Sequence, residues 1–182
     1  MASHGVLVAN KIRAIDGDAL NRVCVSADDL DNGFVFELLT RSTTTGESEV
    51  WTATKSGGTL TNIWMAKSAG PVSTVSGSNE FLGLDSDIRN FYKVAGKMVD
   101  CFRPMPGDIL TLTSDALGGT KASASYTHVV VTSGTYKLTW ATGAVSGLSL
   151  AWLSTTTLSI PTGTISDTQQ VTAYKFVVSA IA

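Results

Sequence analysis

This chain is short of charge. No charged side chain occurs from Leu138 to Ser166, and across residues 122–182 only Lys137, Asp167 and Lys175 carry one. Charged residues make up 15% of the 182, against about a quarter in an average soluble domain. The uncharged stretch still lacks the ~20 consecutive apolar residues of a membrane span, because Leu148-Ser149-Leu150-Ala151-Trp152-Leu153 passes at once into Ser154-Thr155-Thr156-Thr157. Lys and Arg, 13 against 15 Asp and Glu, are scattered and form no stripe to neutralise a phosphate backbone, which argues against nucleic acid as a partner.

Reactive side chains are equally sparse. Cys24 and Cys101 are too few and too far apart in sequence to define a metal site or a disulfide framework. Each lies in an alternating or apolar context, where a buried thiol behaves as a small hydrophobe. His4 falls in an N-terminal arm and His128 in a strand pattern, and no Gly-x-Ser-x-Gly elbow holds a nucleophile. The expectation is a protein without catalytic residues, cofactor or metal. Met1-Ala2-Ser3-His4-Gly5 has neither the basic start nor the apolar stretch of a signal peptide, so synthesis in a cytoplasm with reduced cysteines is expected.

What the chain does have is strand periodicity. The expected fold is mainly β, an antiparallel sandwich or barrel, with one short helix at about residues 86–95 and an extended N-terminal arm over residues 1–12. Gly5–Ala9 reads either as part of that arm or as a first strand. Residues 13–182 read as a single β-rich domain, with a weak sub-boundary near 120–125. Strands are expected at Val23–Val25, Phe34–Leu39, Val50–Ala53, Asn62–Ala66, Lys97–Phe102, Ile109–Thr113, Tyr126–Val131, Tyr136–Trp140, around 147–153 and 156–160, and at Val171–Ala180. Asn32-Gly33 supplies the positive φ values of a type I′ hairpin turn, Thr44–Ser48 is a second turn, and residues 70–84 read as a loop. Pro104–Asp108 is a stiff turn, and Ser114–Gly119 reads as one helical turn closed by glycine. Ser26 could cap another helical turn, with Asp29 three residues on. In the expected helix Asp85 or Ser86 is the N-cap, Ile88, Phe91, Tyr92 and Ala95 share one face, and Gly96 closes the C-terminus.

Three patterns invite a functional reading and have plainer explanations. Asp28, Asp29 and Asp31, and separately Asp85 and Asp87, cluster oxygens at turns, but the further ligands of a calcium loop are missing; Asx turns and N-caps account for both. Gly118-Gly119-Thr120-Lys121 lacks the spacing and following helix of a phosphate loop. Trp51, Trp64, Trp140 and Trp152 could stack a sugar or a base, yet Trp in alternating strands is more often buried in core or interface.

With 43% hydrophobic residues and few charges, the surface reads as one covered by other protein, either sibling copies or a larger scaffold; an ordinary sandwich hydrated by its Thr hydroxyls is the plainer case. Val6, Leu7 and Val8 are expected to be ordered by adding to a neighbour's sheet edge. In the uncharged stretch Leu148, Leu150 and Trp152 should fill the core, while Ser149, Ala151 and Leu153 face a partner chain by the period of two.

Several segments read in order resemble a group of tailed-bacteriophage structural proteins, the head decoration (cement or auxiliary capsid) proteins. They are Asp29-Leu30-Asp31-Asn32-Gly33-Phe34, Gly46-Glu47-Ser48-Glu49-Val50-Trp51, Asn62-Ile63-Trp64, Ala95-Gly96-Lys97, the Arg103, Pro104, Gly107, Asp108 turn, and Gly134-Thr135-Tyr136-Lys137-Leu138. The resemblance implies a virion protein on the capsid surface that binds the major capsid protein and neighbouring copies in many-fold repetition, with no membrane and no nucleic acid as partner. The departures are the longer insert at 70–84 and the uncharged C-terminal portion. A host-receptor adhesin or carbohydrate-binding module is the other functional class, and it would present aromatic residues on an exposed loop or groove.

Overall fold

In the computed structural model the chain is described over residues 4–43, 49–57, 62–67, 73–76, 79–82, 87–161 and 168–180. It is mainly β. The strands are β1 (Leu7–Lys11), β2 (Asn21–Ser26), β3 (Val35–Arg41), β4 (Val50–Thr54), β5 (Ile63–Ala66), β6 (Ser73–Ser76), β7 (Asn79–Leu82), β8 (Met98–Phe102), β9 (Ile109–Thr113), β10 (His128–Val131), β11 (Leu138–Ala141), β12 (Ser149–Pro161) and β13 (Thr168–Ala180). Among the described residues they form an antiparallel six-stranded sheet in the order β1-β9-β13-β12-β10-β11, a closed barrel β2-β4-β3-β5-β8 in which β2 and β4 run parallel, and a separate two-stranded sheet β6-β7. The barrel sits in sequence between β1 and β9, so the sheet is built from both ends of the chain.

A shared core joins the six-stranded sheet and the barrel. Leu110, Leu112, Leu150 and Phe176 from the sheet pack in one cluster with Val35, Met65 and Phe102 from the barrel. A second cluster, with Cys24, Phe36, Trp64 and Val99, fills the barrel. Strand β9 lies between β1 and β13, and four of its five residues are buried. Its two buried threonines are satisfied: Thr111 Oγ1 donates to Asn10 Oδ1 (2.7 Å), and Thr113 Oγ1 accepts from Val6 N (3.0 Å). That agrees with the rule that buried polar groups find partners.

The N-terminal segment is not a free arm. Residues Leu7 to Lys11 pair with β9 as an edge strand of the chain's own sheet, and Val6 and Ile12 are buried. Asp31 holds the segment just upstream, accepting from Gly5 N at 3.0 Å and contacting His4 Nδ1 at 2.8 Å.

The Asn-Gly turn also differs from its expected form. Gly33 alone has positive φ (86°), Asn32 does not, and Phe34 N donates to Asp31 O (3.2 Å). One positive φ leaves β2 and β3 splayed, and they are not neighbours in the barrel.

Over the described residues 87–95 no α-helix forms. Asp85 and Ser86 lie outside the described residues, as do Thr44–Ser48. From Asp87 onward the chain makes one 3-10 turn, Ile88–Asn90, capped by Asp87, whose carboxylate accepts from Arg89 N. Phe91 is already extended, and Lys93 exchanges backbone hydrogen bonds with Leu30 (both 2.8 Å). A helix this short is marginal alone, and a tertiary bridge supplies its amides with better partners. Gly96, at φ 79°, donates to Ser26 O instead of closing a helix. Ser26 itself ends a strand, and its hydroxyl bonds Tyr136 Oη.

Two further boundaries move. Within the segment 70–84, residues Ser73–Ser76 and Asn79–Leu82 pair as a hairpin. The two strands expected around 147–160 are one, and residues 120–125 divide nothing, since β9 before them and β10 after them share a sheet.

Candidate functional site

The longest elements, β12 and β13, form one antiparallel ribbon from Ser149↔Ala180 to Pro161↔Thr168. Strand β10 flanks β12 only at Ser149 to Ala151, and β9 flanks β13 only from Ala173 to Val177. Beyond those points each ribbon strand has, among the described residues, the other as its sole strand neighbour. Ser154 to Thr156 still pair with residues of β13 that β9 flanks, so Thr157 to Pro161, paired with Thr168 to Thr172, is the part that passes both flanking strands. At about 3.3 Å per residue it extends roughly 16 Å. The β-branched run Thr155-Thr156-Thr157 and the opposing Val171-Thr172 favour this extended form.

Exposed hydroxyl and amide side chains coat the ribbon: Ser154, Thr155, Thr157 and Ser159 on one strand, Thr168, Gln169, Gln170 and Thr172 on the other. Gln170 Nε2 donates to Ser159 Oγ across the ribbon (2.7 Å). Lys175 is the only charged residue in either strand. Exposed strand edges are usually blunted by Lys, Pro or bulges. Here the charge is absent, Pro161 stands only at the tip, and a bulge sits at the base, where Leu153 has no cross-strand partner between Trp152↔Phe176 and Ser154↔Lys175.

The proposed partner residues are therefore redistributed. Leu148 and Leu150 are core residues as expected. Ser149, expected on a partner-facing side, is fully buried: its hydroxyl donates to Val145 O (3.1 Å) and accepts from Val145 N (3.0 Å), so the preceding loop closes over it. Ala151 is half-buried, and only Leu153, 48% exposed, faces outward. Val6 is buried, while Leu7 and Val8 are half-buried in their own sheet. The outward residues Ser154, Thr155, Thr157 and Ser159 could not be located by alternation alone, because the bulge at Leu153 breaks the count of two.

The other singled-out residues are spread through the fold. Asp28 accepts from Lys55 Nζ (3.1 Å) and Tyr136 Oη (3.0 Å), and Lys55 and then Tyr136 hold its carboxyl below the usual range. Asp29 accepts from Ala95 N. Burial pushes the Tyr136 phenol up. Among the described residues no group of three or more His, Cys, Asp or Glu is placed to hold a metal ion. His128 Nδ1 contacts Thr127 Oγ1 (2.9 Å).

Each tryptophan has its own setting. Trp64 donates to Asn62 Oδ1 and Trp140 to Gly119 O. Trp152 Nε1 is buried and has no hydrogen-bond partner among the described residues, and Lys121 Nζ lies 4.3 Å from the ring centre.

Cys24 and Cys101, distant in sequence, lie on one face of the β2–β8 pair, since Arg22 opposes Cys101 and Cys24 opposes Val99. Both thiols are free and buried. The Cys24 thiol, and then burial, push Cys101 far above the usual range, the opposite of what activates a cysteine nucleophile.

Among the described residues no helix is long and apolar enough to cross a membrane. Comparison with protein-family models, with curated proteins and with solved structures finds no match for this chain.

Proposed function

We propose that this chain is a virion structural protein of a tailed bacteriophage, one that decorates and stabilises the capsid shell by binding the major capsid protein and neighbouring copies. The observation that supports the reading is the uncharged ribbon. Its outer backbone edges offer donors and acceptors for strand addition, and its hydroxyl coat is cheaper to dehydrate than a charged one. The segments that resemble those of decoration proteins suggest the partner class; the ribbon supplies the surface.

The test replaces Thr155 and Thr157, both exposed on one side of β12, with lysine. Surface changes of this kind shift stability by about 0.5 kcal/mol or less each, so thermal unfolding should barely move while binding to shells is lost. Labelled wild-type protein should be seen on the shell lattice of imaged particles. Normal shell binding by the Thr155→Lys/Thr157→Lys variant, or label confined to the tail tip, overturns the proposal, and the tail-tip result favours a receptor-binding role.

A further inference from the structure

We infer that an open cleft on the barrel binds a short acidic saccharide, a function separate from shell binding. The cleft has a volume of about 730 Å³ and lies against β2, β4 and β8. Six of its eleven lining residues are charged, in a chain where 15% are: Arg22, Arg41 and Lys67, with Asp18, Glu49 and Asp100. Among the described residues the ion pairs lie elsewhere, at His4–Asp31, Lys55–Asp28 and Arg89–Asp87. Both signs of charge thus border one hollow without neutralising each other. Six charges of both signs gathered around one hollow suit a ligand that presents groups to both.

Both arginines are held by aromatic rings. Arg22 lies over Trp64 at 5.7 Å from the ring centre and donates from Nη1 to Asn21 O (2.7 Å). Arg41 lies over Trp51 at 5.8 Å. Such stacking restrains a guanidinium while leaving its edge free to grip a planar carboxylate in two-point fashion.

The three carboxylates accept hydrogen bonds and repel anions. A ligand satisfying both sets carries one acid group and several hydroxyl donors, which describes a uronic-acid-type sugar. A polyanion meets repulsion from Asp18, Glu49 and Asp100, and a neutral sugar leaves the arginines unmatched. The cleft volume lies within the roughly 300–1,000 Å³ of small-ligand sites, and the half-buried Trp51 and Val23 give the apolar wall that a sugar ring's C–H face needs.

The test is calorimetric titration of the full chain with digalacturonate and trigalacturonate, with neutral galactose oligosaccharides of the same length, and with inorganic phosphate and glycine. The acidic saccharides should bind, and each comparator at least about tenfold more weakly, the loss expected when a charged hydrogen bond goes unmade. Arg41→Gln, at an exposed position, should weaken binding by a similar factor with an unchanged melting temperature, and Lys11→Ala, on β1, should not. Equal affinity for the neutral sugars, phosphate bound as tightly as the acids, glycine bound in their place, no binding of acidic saccharides, or full binding by Arg41→Gln would each overturn the inference. None of these results bears on shell binding, which is read from the ribbon variant.

Discussion

Gly33 marks the place where barrel and sheet meet, and alanine there tests how closely they meet. At φ 86° an L residue in the left-handed region costs about 1–2 kcal/mol. The new Cβ would also lie 2.7 Å from Leu112 Cδ2 on β9 and 3.2 Å from Ala116 Cβ. Leu112 and Ala116 are fully buried, so Leu112 has no open space to retreat into, and overpacking of this kind typically costs about 1–3 kcal/mol. Gly33→Ala should therefore lose about 2–5 kcal/mol, a large part of the ~5–15 kcal/mol that holds a domain folded. Gly134, in the β10–β11 turn, is the control. Its φ is 78°, and nothing lies within 4 Å of an added Cβ, so Gly134→Ala carries only the backbone part, about 1–2 kcal/mol. Urea unfolding of both variants isolates the contact as their difference. Equal losses would mean that the turn does not press on Leu112, and the described junction of barrel and sheet would be wrong.

Asp31→Ala removes the acceptor for Gly5 N and His4, and leaves a buried amide unpaired; a loss of about 1.5–3 kcal/mol with faster proteolysis ahead of β1 is expected, and unchanged cleavage would count against the clasp. Phe91→Ala should cost roughly 3–5 kcal/mol as a core aromatic truncation, although Phe91 reaches the core (5% exposed) from extended backbone; a loss below about 1 kcal/mol would place it on the surface. Asp87 is held below its ordinary 3.8 chiefly by the Arg89 guanidinium. Because its folded value is the lower one, its contribution is complete above the unfolded value and drains away as pH falls through the folded value. Asp87→Asn should flatten that acid limb of a stability titration, and parallel curves for variant and wild type would remove the assignment.

The strands were legible in the sequence because most of them alternate, and alternation is what a half-buried strand requires. The failures have a common cause in contacts that sequence spacing does not encode. Ile88, Phe91, Tyr92 and Ala95 have helical spacing, yet the Leu30–Lys93 bridge claims the backbone they would need. Asn32-Gly33 carries hairpin chemistry, but β2 is taken by β4 and β8, so its turn serves to anchor the N-terminus through Asp31. The apolar Val6-Leu7-Val8 run was visible as a strand in need of an edge; that β9 of the same chain supplies it, across a hundred residues, was not. The uncharged stretch was legible as unusual, while its geometry depended on the bulge at Leu153 and on where β10 stops. The cleft escaped notice because its charges come from five separate segments, none of which is a motif alone.

Charge is partitioned between two surfaces, and that gives their two proposed roles opposite responses to salt. The ribbon carries no charge beyond Lys175, so a contact made through it rests on backbone hydrogen bonds and apolar burial. Raising ionic strength from about 0.1 to 1 M shortens the screening length from about 10 to about 3 Å and should leave shell binding close to unchanged. The cleft relies on Arg22, Arg41 and Lys67, of which Arg41 is exposed, so the same change should weaken acidic saccharide binding by about an order of magnitude. One salt series read on both activities thus separates the surfaces. If salt stripped the protein from shells while saccharide binding persisted, the roles assigned to ribbon and cleft would be reversed. If both fell together, charge would govern both contacts, and the uncharged ribbon would not be the docking surface.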